Sequence, residues 1–261
     1  MEAASASVGK VYLIGAGPGA QDLMTLRGAR LLGMAEVVLH DALVTEEMLE
    51  LCPQAIKIAV GKRSGQPSTA QSSINLQLIS QARQHAIVVR LKGGDPMLFG
   101  RADEELRALE GAGIEVEVVP GITTALAAAA AARQPLTRRG VARSVAFFTS
   151  STAPSLSESN EIPNADTLVQ YMGGREAIAT AQRLLAQGRP SATPVLVIEN
   201  CSRPDQRIAR IDLAKLAEGL GAAHGPVLVM LGEAMAQRAL QPADLGNDMQ
   251  DKEKQPSLDL A

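Results

Sequence analysis

Short apolar runs alternate with segments of helical spacing through the first half of the chain. Residues 11–14 (Val-Tyr-Leu-Ile) read as a buried strand, followed at once by Gly15-Ala16-Gly17-Pro18-Gly19. A helix fits residues 23–34, with Asp22 as its N-cap and Leu23, Leu26 and Leu31 at helical intervals. Residues 37–39 predict a second strand ending at His40-Asp41, and 56–60 a third running into Gly61-Lys62-Arg63. A helix over 69–84, a strand over 87–91, a helix over 103–112 and a strand over 116–119 complete this half at Pro120-Gly121.

Strands alternating with helices imply βαβ units and a mostly parallel sheet, whose ligands bind beyond the carboxyl ends of the strands. Those ends carry the glycine loop, Asp41, Lys62 and the turn Lys92-Gly93-Gly94-Asp95-Pro96. An alanine-rich helix over 124–133 leads into a second unit with strand candidates at 144–149, 167–171, 195–198 and 227–231. Residues 150–164 read as a long loop, and the polar residues from 241 to 261 as a disordered tail. The chain thus divides into an N-terminal α/β domain (1–120), a C-terminal α/β domain (121–240) and the tail.

Composition narrows the classes. Hydrophobic residues make up 46% of the 261 and charged residues 20%, enough for a sizeable core. The 25 basic and 28 acidic side chains leave a net charge of −3, without the basic excess of a nucleic-acid binder. Aromatics are only 2%, with no Trp, so a base-stacking platform is not expected. The longest apolar stretch, 125–132, falls far short of the ~20 residues that span a bilayer, and no signal peptide is read at the N-terminus. Cys52 and Cys201 lack metal-ligand spacing, which argues for a reducing cytoplasm and against a disulfide framework or zinc site.

The loops carry the chemistry. Gly15, Gly17 and Gly19 stand at i, i+2 and i+4, whereas a dinucleotide fingerprint needs its third glycine at i+5, and Pro18 removes a backbone donor. A tight strand-to-helix turn is the better reading. In Gly93-Gly94-Asp95-Pro96 the two glycines permit close backbone approach to a ligand, and the residue before proline is held out of helix. Asp41 and Lys62 end strands and suit proton handling, although each would equally serve as a solvated loop charge. Lys62-Arg63, Lys92, Arg101 and Arg138-Arg139 form basic islands, ordinarily solvated, that around a cleft would suit a polyanionic small molecule.

These blocks occur together in a recognisable order: residues 11–19, Val60-Gly61-Lys62-Arg63, RLKGGDPMLFGR (90–101), VVPGIT (118–123), Pro135-Leu136-Thr137, Tyr171-Met172-Gly173, Ile198-Glu199-Asn200 and the segment 225–233. From about residue 10 to 234 the chain closely resembles uroporphyrinogen-III C-methyltransferases of the tetrapyrrole methylase family. The resemblance implies two α/β domains, the first with a mostly parallel and the second with a mixed sheet, and a cofactor cleft between them. It further implies a homodimer that uses S-adenosyl-L-methionine to methylate C2 and C7 of uroporphyrinogen III, giving precorrin-2 for sirohaem and cobalamin, with S-adenosyl-L-homocysteine released. Carried over by position, Pro18, Gly93, Gly94, Asp95, Leu98, Thr123, Thr124, Met172 and Cys201 would hold the cofactor. Asp41 matches the proton acceptor and Lys62 the proton donor; no metal is implied.

Departures from the family pattern are Arg138 for a histidine, Ser150-Ser151 for glycine-histidine, Ala102-Asp103 for paired glycines and Cys201 for a glycine. They bear on substrate positioning and turnover more than on cofactor binding. The competing readings are a methylase of another precorrin and a non-catalytic binder of cofactor or tetrapyrrole.

Overall fold

The structure, a computed structural model, describes residues 8–61, 70–150, 161–221 and 223–237. Lys62, Arg63, Ser151 and the expected tail over 241–261 lie outside the described residues.

Five strands build the first sheet: β1 (Lys10–Gly15), β2 (Val37–His40), β3 (Ile56–Ala59), β4 (Ile87–Lys92) and β5 (Val116–Val119). They lie in the order β3-β2-β4-β1-β5, with every pairing parallel. In the central strands Val11, Leu13, Ile14, Val88, Val89 and Leu91 are fully buried, as expected where helices cover both faces. Helices α1 (Leu26–Leu32) and α2 (Glu46–Leu49) pack Leu31, Leu32, Met48 and Leu49 on one face. Helices α3 (Gln71–Ala82) and α4 (Ala102–Gly111) pack Ile74, Leu78 and Leu109 on the other. The sequence reading erred at α1. Met24 and Thr25 are extended, a 3-10 turn occupies Gln21–Leu23, and the helix is capped by Thr25 rather than Asp22. The Thr25 hydroxyl accepts the Gly28 amide at 3.1 Å, satisfying one of the first-turn donors that a helix leaves without a partner.

Helix α5 (Thr124–Ala131) leads into the second sheet of β6 (Val145–Thr149), β7 (Thr167–Tyr171), β8 (Pro194–Glu199), β9 (Arg207–Asp212) and β10 (Val227–Leu231). Its order is β6-β7-β10-β8-β9; β6 and β7 are parallel and the other pairs antiparallel, so the sheet is mixed. Helix α5 and the 3-10 turn at Glu233–Met235 cover one face around Val169, Leu196, Ile198 and Met230. Helices α6 (Gly173–Ala186) and α7 (Leu213–Glu218) cover the other, around Leu168, Val195 and Val229. The sequence reading left out α2, α6, β9 and α7. β9 is an edge strand with mostly exposed residues, so it lacks the apolar run that marks its neighbours. Asp212 caps α7 by accepting the Lys215 amide at 2.8 Å.

Candidate functional site

The strand order places the reversal of chain direction at the carboxyl ends of β1 and β4, where crevices form in parallel sheets. There the loops after these strands pair with each other. Gly94 N donates to the Gly17 carbonyl at 2.7 Å, and Gly17 N to the Gly94 carbonyl at 3.1 Å. Gly15 and Gly121 complete the crossing: a Cβ on Gly121 would lie 2.3 Å from the Gly94 oxygen, and one on Gly15 2.5 Å from the Gly121 Cα. The glycine loop therefore serves close packing of three loops. Gly94, at φ +71°, is different, because a Cβ there would meet no protein atom within 4 Å.

A cavity of about 410 Å³ opens at this point between the two sheets, within the usual size of small-molecule sites. Pro18, Gly93, Gly94, Asp95, Leu98, Thr123, Thr124, Met172 and Cys201 all line it, and so does Asp41. The fold brings this sequence-derived set to one place from loops more than 180 residues apart. Lys62 is outside the described residues. Arg138, by contrast, is absent from the cavity wall and pairs its backbone with Ala142, its N–H donating at 2.8 Å. Ser150 turns towards Thr180 and Gln170 beneath the second sheet, its hydroxyl 3.1 Å from each partner.

Asp41 is held by two backbone amides. Leu43 N donates to Oδ1 at 2.9 Å and Gly93 N to Oδ2 at 3.0 Å, which joins the end of β2 to the Gly93-Gly94 turn. Asp95 is used in the same way: Met97 N donates to Oδ1 at 2.8 Å and Gly121 N to Oδ2 at 2.9 Å. Its carboxylate thus fixes the turn against the segment entering the second sheet, where the sequence reading had it project from the chain. His40 is half-buried, with Nδ1 3.2 Å from the Asp41 carbonyl.

Several wall residues were not singled out from sequence. Tyr171, at the end of β7, sets its hydroxyl 2.6 Å from the Thr123 Oγ1, and Ala125 N donates to it at 3.1 Å, so it caps the first turn of α5. Burial pushes this phenol up from its ordinary value, against the hydrogen bonds from Thr123 and Ala125. The Phe99 ring lies 5.1 Å from the Tyr171 ring, bridging the two halves of the cleft. Arg203 crosses on the other side, donating through Nη2 to the Leu43 carbonyl at 2.8 Å, while Ser202 Oγ accepts the Ala20 amide at 3.1 Å. Phe99 and Tyr171 fall inside motif blocks quoted above, but their contacts have no local signal, because each acts across the interface between sheets.

The rim is apolar and exposed at Leu43, Phe99 and Met172. Cys201 is buried beneath it, and desolvation pushes its thiol up to about 11, so the group is neutral. Arg101 is paired with Glu104 through contacts of 2.7 and 2.8 Å. Of the two readings of the basic islands, solvation fails for Lys92: it lines the cavity but is buried and ion-paired with Glu105 at 2.8 Å. Among the described residues no three of His, Cys, Asp and Glu converge on a metal-sized site, and no helix is long and apolar enough to cross a membrane.

The profile of the Tetrapyrrole (Corrin/Porphyrin) Methylases matches residues 10–217. Siroheme synthase 2 of Yersinia pestis (strain Pestoides F) is 44% identical over 239 residues, covering 90% of this chain and 51% of that protein. The siroheme synthase of Tolumonas auensis is 45% identical over 232 residues, covering 87% of this chain and 50% of its own length. The chain therefore spans about half the length of these curated relatives. A crystal structure of uroporphyrin-III C-methyl transferase from Thermus thermophilus complexed with S-adenyl homocysteine superposes with a TM-score of 0.77. Its sequence is 40% identical, and the match covers 88% of this chain and 96% of that one. A cobalt precorrin-4 methyltransferase superposes with a TM-score of 0.78 at 26% identity, covering 91% and 100% of the two chains. Sequence and fold agree: the chain belongs to the tetrapyrrole methylase family.

Proposed function

We propose that this family member is an S-adenosyl-L-methionine-dependent C-methyltransferase of uroporphyrinogen III, methylating C2 and C7 to give precorrin-2 for sirohaem and cobalamin synthesis. The observation that carries the reading is the convergence of Asp41, the Gly93-Gly94 turn and an apolar rim on one cavity between the sheets. The rim suits the flat face of a macrocycle, and Arg101 and Arg203 at the cavity edge suit its peripheral carboxylates. The similarity to a transferase that was crystallised with S-adenyl homocysteine supports the choice of cofactor.

The residues present fit that cofactor. Gly94 offers bare backbone to the cavity, since no protein atom occupies the space its Cβ would point into. Gly93, Gly94, Thr123 and Thr124 would hold the cofactor from one side, with Pro18 and Leu98 bordering it, and Met172 and Cys201 would cover it from the second sheet. When bound, S-adenosyl-L-methionine supplies an electrophilic methyl group for in-line displacement by a ring carbon. The protein's part is alignment and exclusion of water, to which the Phe99–Tyr171 contact and the Arg203 crossing contribute by tying the walls together. Asp41 accepts the proton released as the methylated macrocycle rearranges, and Lys62 returns one. The same reading makes the protein a cytoplasmic homodimer of the two domains 1–120 and 121–240; light scattering checks the pairing.

The test is an anaerobic assay with uroporphyrinogen III and S-adenosyl-L-methionine, read by product mass. A gain of two methyl groups is expected. No gain from a protein that binds the cofactor by calorimetry refutes the substrate, and points to another precorrin or to a binding protein. Asp41→Ala lowers turnover with cofactor affinity retained; turnover at the parent rate would remove Asp41 from proton handling.

A further inference from the structure

The cavity floor carries charges that methyl transfer itself does not use. Arg90 and Lys92 alternate along β4 and therefore share one side of the sheet. Their side chains are 5% and 4% exposed, and both line the cavity. Both reach Glu105 of α4, whose side chain is wholly buried: Arg90 Nε lies 3.0 Å from Oε1 and Lys92 Nζ 2.8 Å from Oε2. Gln71 of α3 donates to Oε1 as well, at 3.3 Å. Arg90 also donates through Nη1 to the carbonyls of Leu39 at 3.4 Å and Leu91 at 3.1 Å.

Two cations share one anion here, in surroundings where uncompensated charge is strongly disfavoured. Asp41 lines the same cavity, and its Oδ2 accepts the amide of Gly93, the residue after Lys92. Desolvation and the neighbouring Arg90 push the Lys92 ammonium down, while Glu105 and Asp41 pull it up.

We propose that Arg90, Lys92 and Glu105 form a positioning device for Asp41. Glu105 fixes Lys92, and with it the Gly93 amide, against the carboxylate. The surplus positive charge keeps that carboxylate ionised when substrate drives water from the cleft. The inference rests on the reading of Asp41 as the proton acceptor. Methylation makes the attacked ring carbon quaternary and leaves the ring cationic. A proton then leaves a neighbouring C–H or N–H of the macrocycle as that bond's electron pair neutralises the ring, and only an ionised carboxylate can take it. A dry cleft would otherwise favour the neutral acid.

Among the described residues, four other charged or titratable groups stand near Asp41. His40 precedes it on β2, and Asp95 is bonded to two amides. Arg101 is paired with Glu104, and Arg203 rests on the Leu43 carbonyl near Glu47 of α2. Lys62 follows Gly61, which packs against Asp41, but lies outside the described residues.

The test is a carboxylate ¹³C NMR titration of the cofactor-free protein, with the Asp41 resonance identified by its loss in Asp41→Asn. Lys92→Met moves the Asp41 midpoint up by about one pH unit, and Glu105→Gln moves it down by a similar amount. Arg90→Lys, which keeps the charge, leaves it within a few tenths of a unit. Should Lys92→Met fail to fold by circular dichroism, Lys92→Gln drops the same charge and gives the same upward shift. In turnover the acidic limb of the kcat/KM profile follows these shifts while KM for S-adenosyl-L-methionine stays at the parent value. Midpoints that do not move, or that move the same way in the Lys92 and Glu105 variants, overturn the proposal. Because the titration needs neither substrate nor cofactor, opposite shifts without methylation fail only the function, and methylation without shifts fails only the positioning device.

Discussion

Gly94 offers the sharpest perturbation of the cleft. Its backbone sits at φ +71°, where an L-residue is disfavoured by roughly 1–2 kcal/mol and a β-branched one fits worst. A Cβ there meets no protein atom within 4 Å, so a valine side chain has room to project into the cavity that the cofactor would fill. Two consequences separate cleanly. Strain alone lowers the melting temperature by about 2–8 °C, taking 2–4 °C per kcal/mol for a chain of this size. Occupation of the cavity weakens S-adenosyl-L-homocysteine binding by at least about a hundred-fold, or ~2.8 kcal/mol. Gly113 supplies the control, because its φ is +70° and its Cβ also meets nothing, yet it follows α4 away from the cavity. Calorimetric titration of Gly94→Val and Gly113→Val, beside their thermal melts, should show similar losses of stability but loss of binding only in the first. Parent affinity in folded Gly94→Val, or equal loss in both variants, would refute the assignment of this turn to the cofactor.

Tyr171→Phe removes the hydroxyl that serves Thr123 and the buried Ala125 amide, and should lower unfolding free energy by about 1–3 kcal/mol in denaturant titration. An unchanged midpoint would show that the cap is dispensable. Cys201, with its thiol pushed up to about 11 by burial, should react with iodoacetamide at pH 8 at least about a hundred-fold more slowly than a free thiol, and normally once the chain is unfolded. Fast labelling of the native protein would contradict a desolvated thiol at that position. Asp166 is held below the usual carboxylate range by the Ser144 hydroxyl and the amides of Arg143 and Ser144. A depressed carboxylate stabilises the fold above its unfolded value, and that stability is lost as pH falls. Asp166→Ala should therefore melt below the parent at pH 7, with the gap closing as pH drops below about 4. A gap that does not depend on pH would deny Asp166 that role.

The alternation of apolar strands and helical spacing made the first sheet legible, since strands covered by helices on both faces are mostly apolar, Arg90 and Lys92 of β4 being the buried exceptions. The strand over 116–119 and those at 167–171 and 227–231 are read to the residue. Where side chains face water the signal fades, which is why the exposed edge strand β9 escaped notice. The extended pair Met24-Thr25 interrupts a run whose apolar spacing alone predicts one helix, because a side-chain cap competes with helix continuation there.

For the site, motif order named the residues that line the cleft, whereas their partners were decided by packing. Lys92 looks like a surface charge in sequence, and only the arrival of Glu105 from α4 buries it. Asp95 appears free to reach a ligand until the Gly121 amide, brought alongside by the start of the second unit, takes one oxygen. Tyr171 and Arg203 act on residues 46 and 160 positions away, Ala125 and Leu43. A sequence determines which groups its backbone can present at the end of each strand, because periodicity and turn chemistry are local. Which of those groups face one another is set by the stacking of two sheets, a non-local balance of buried area and hydrogen bonds that only the folded chain resolves.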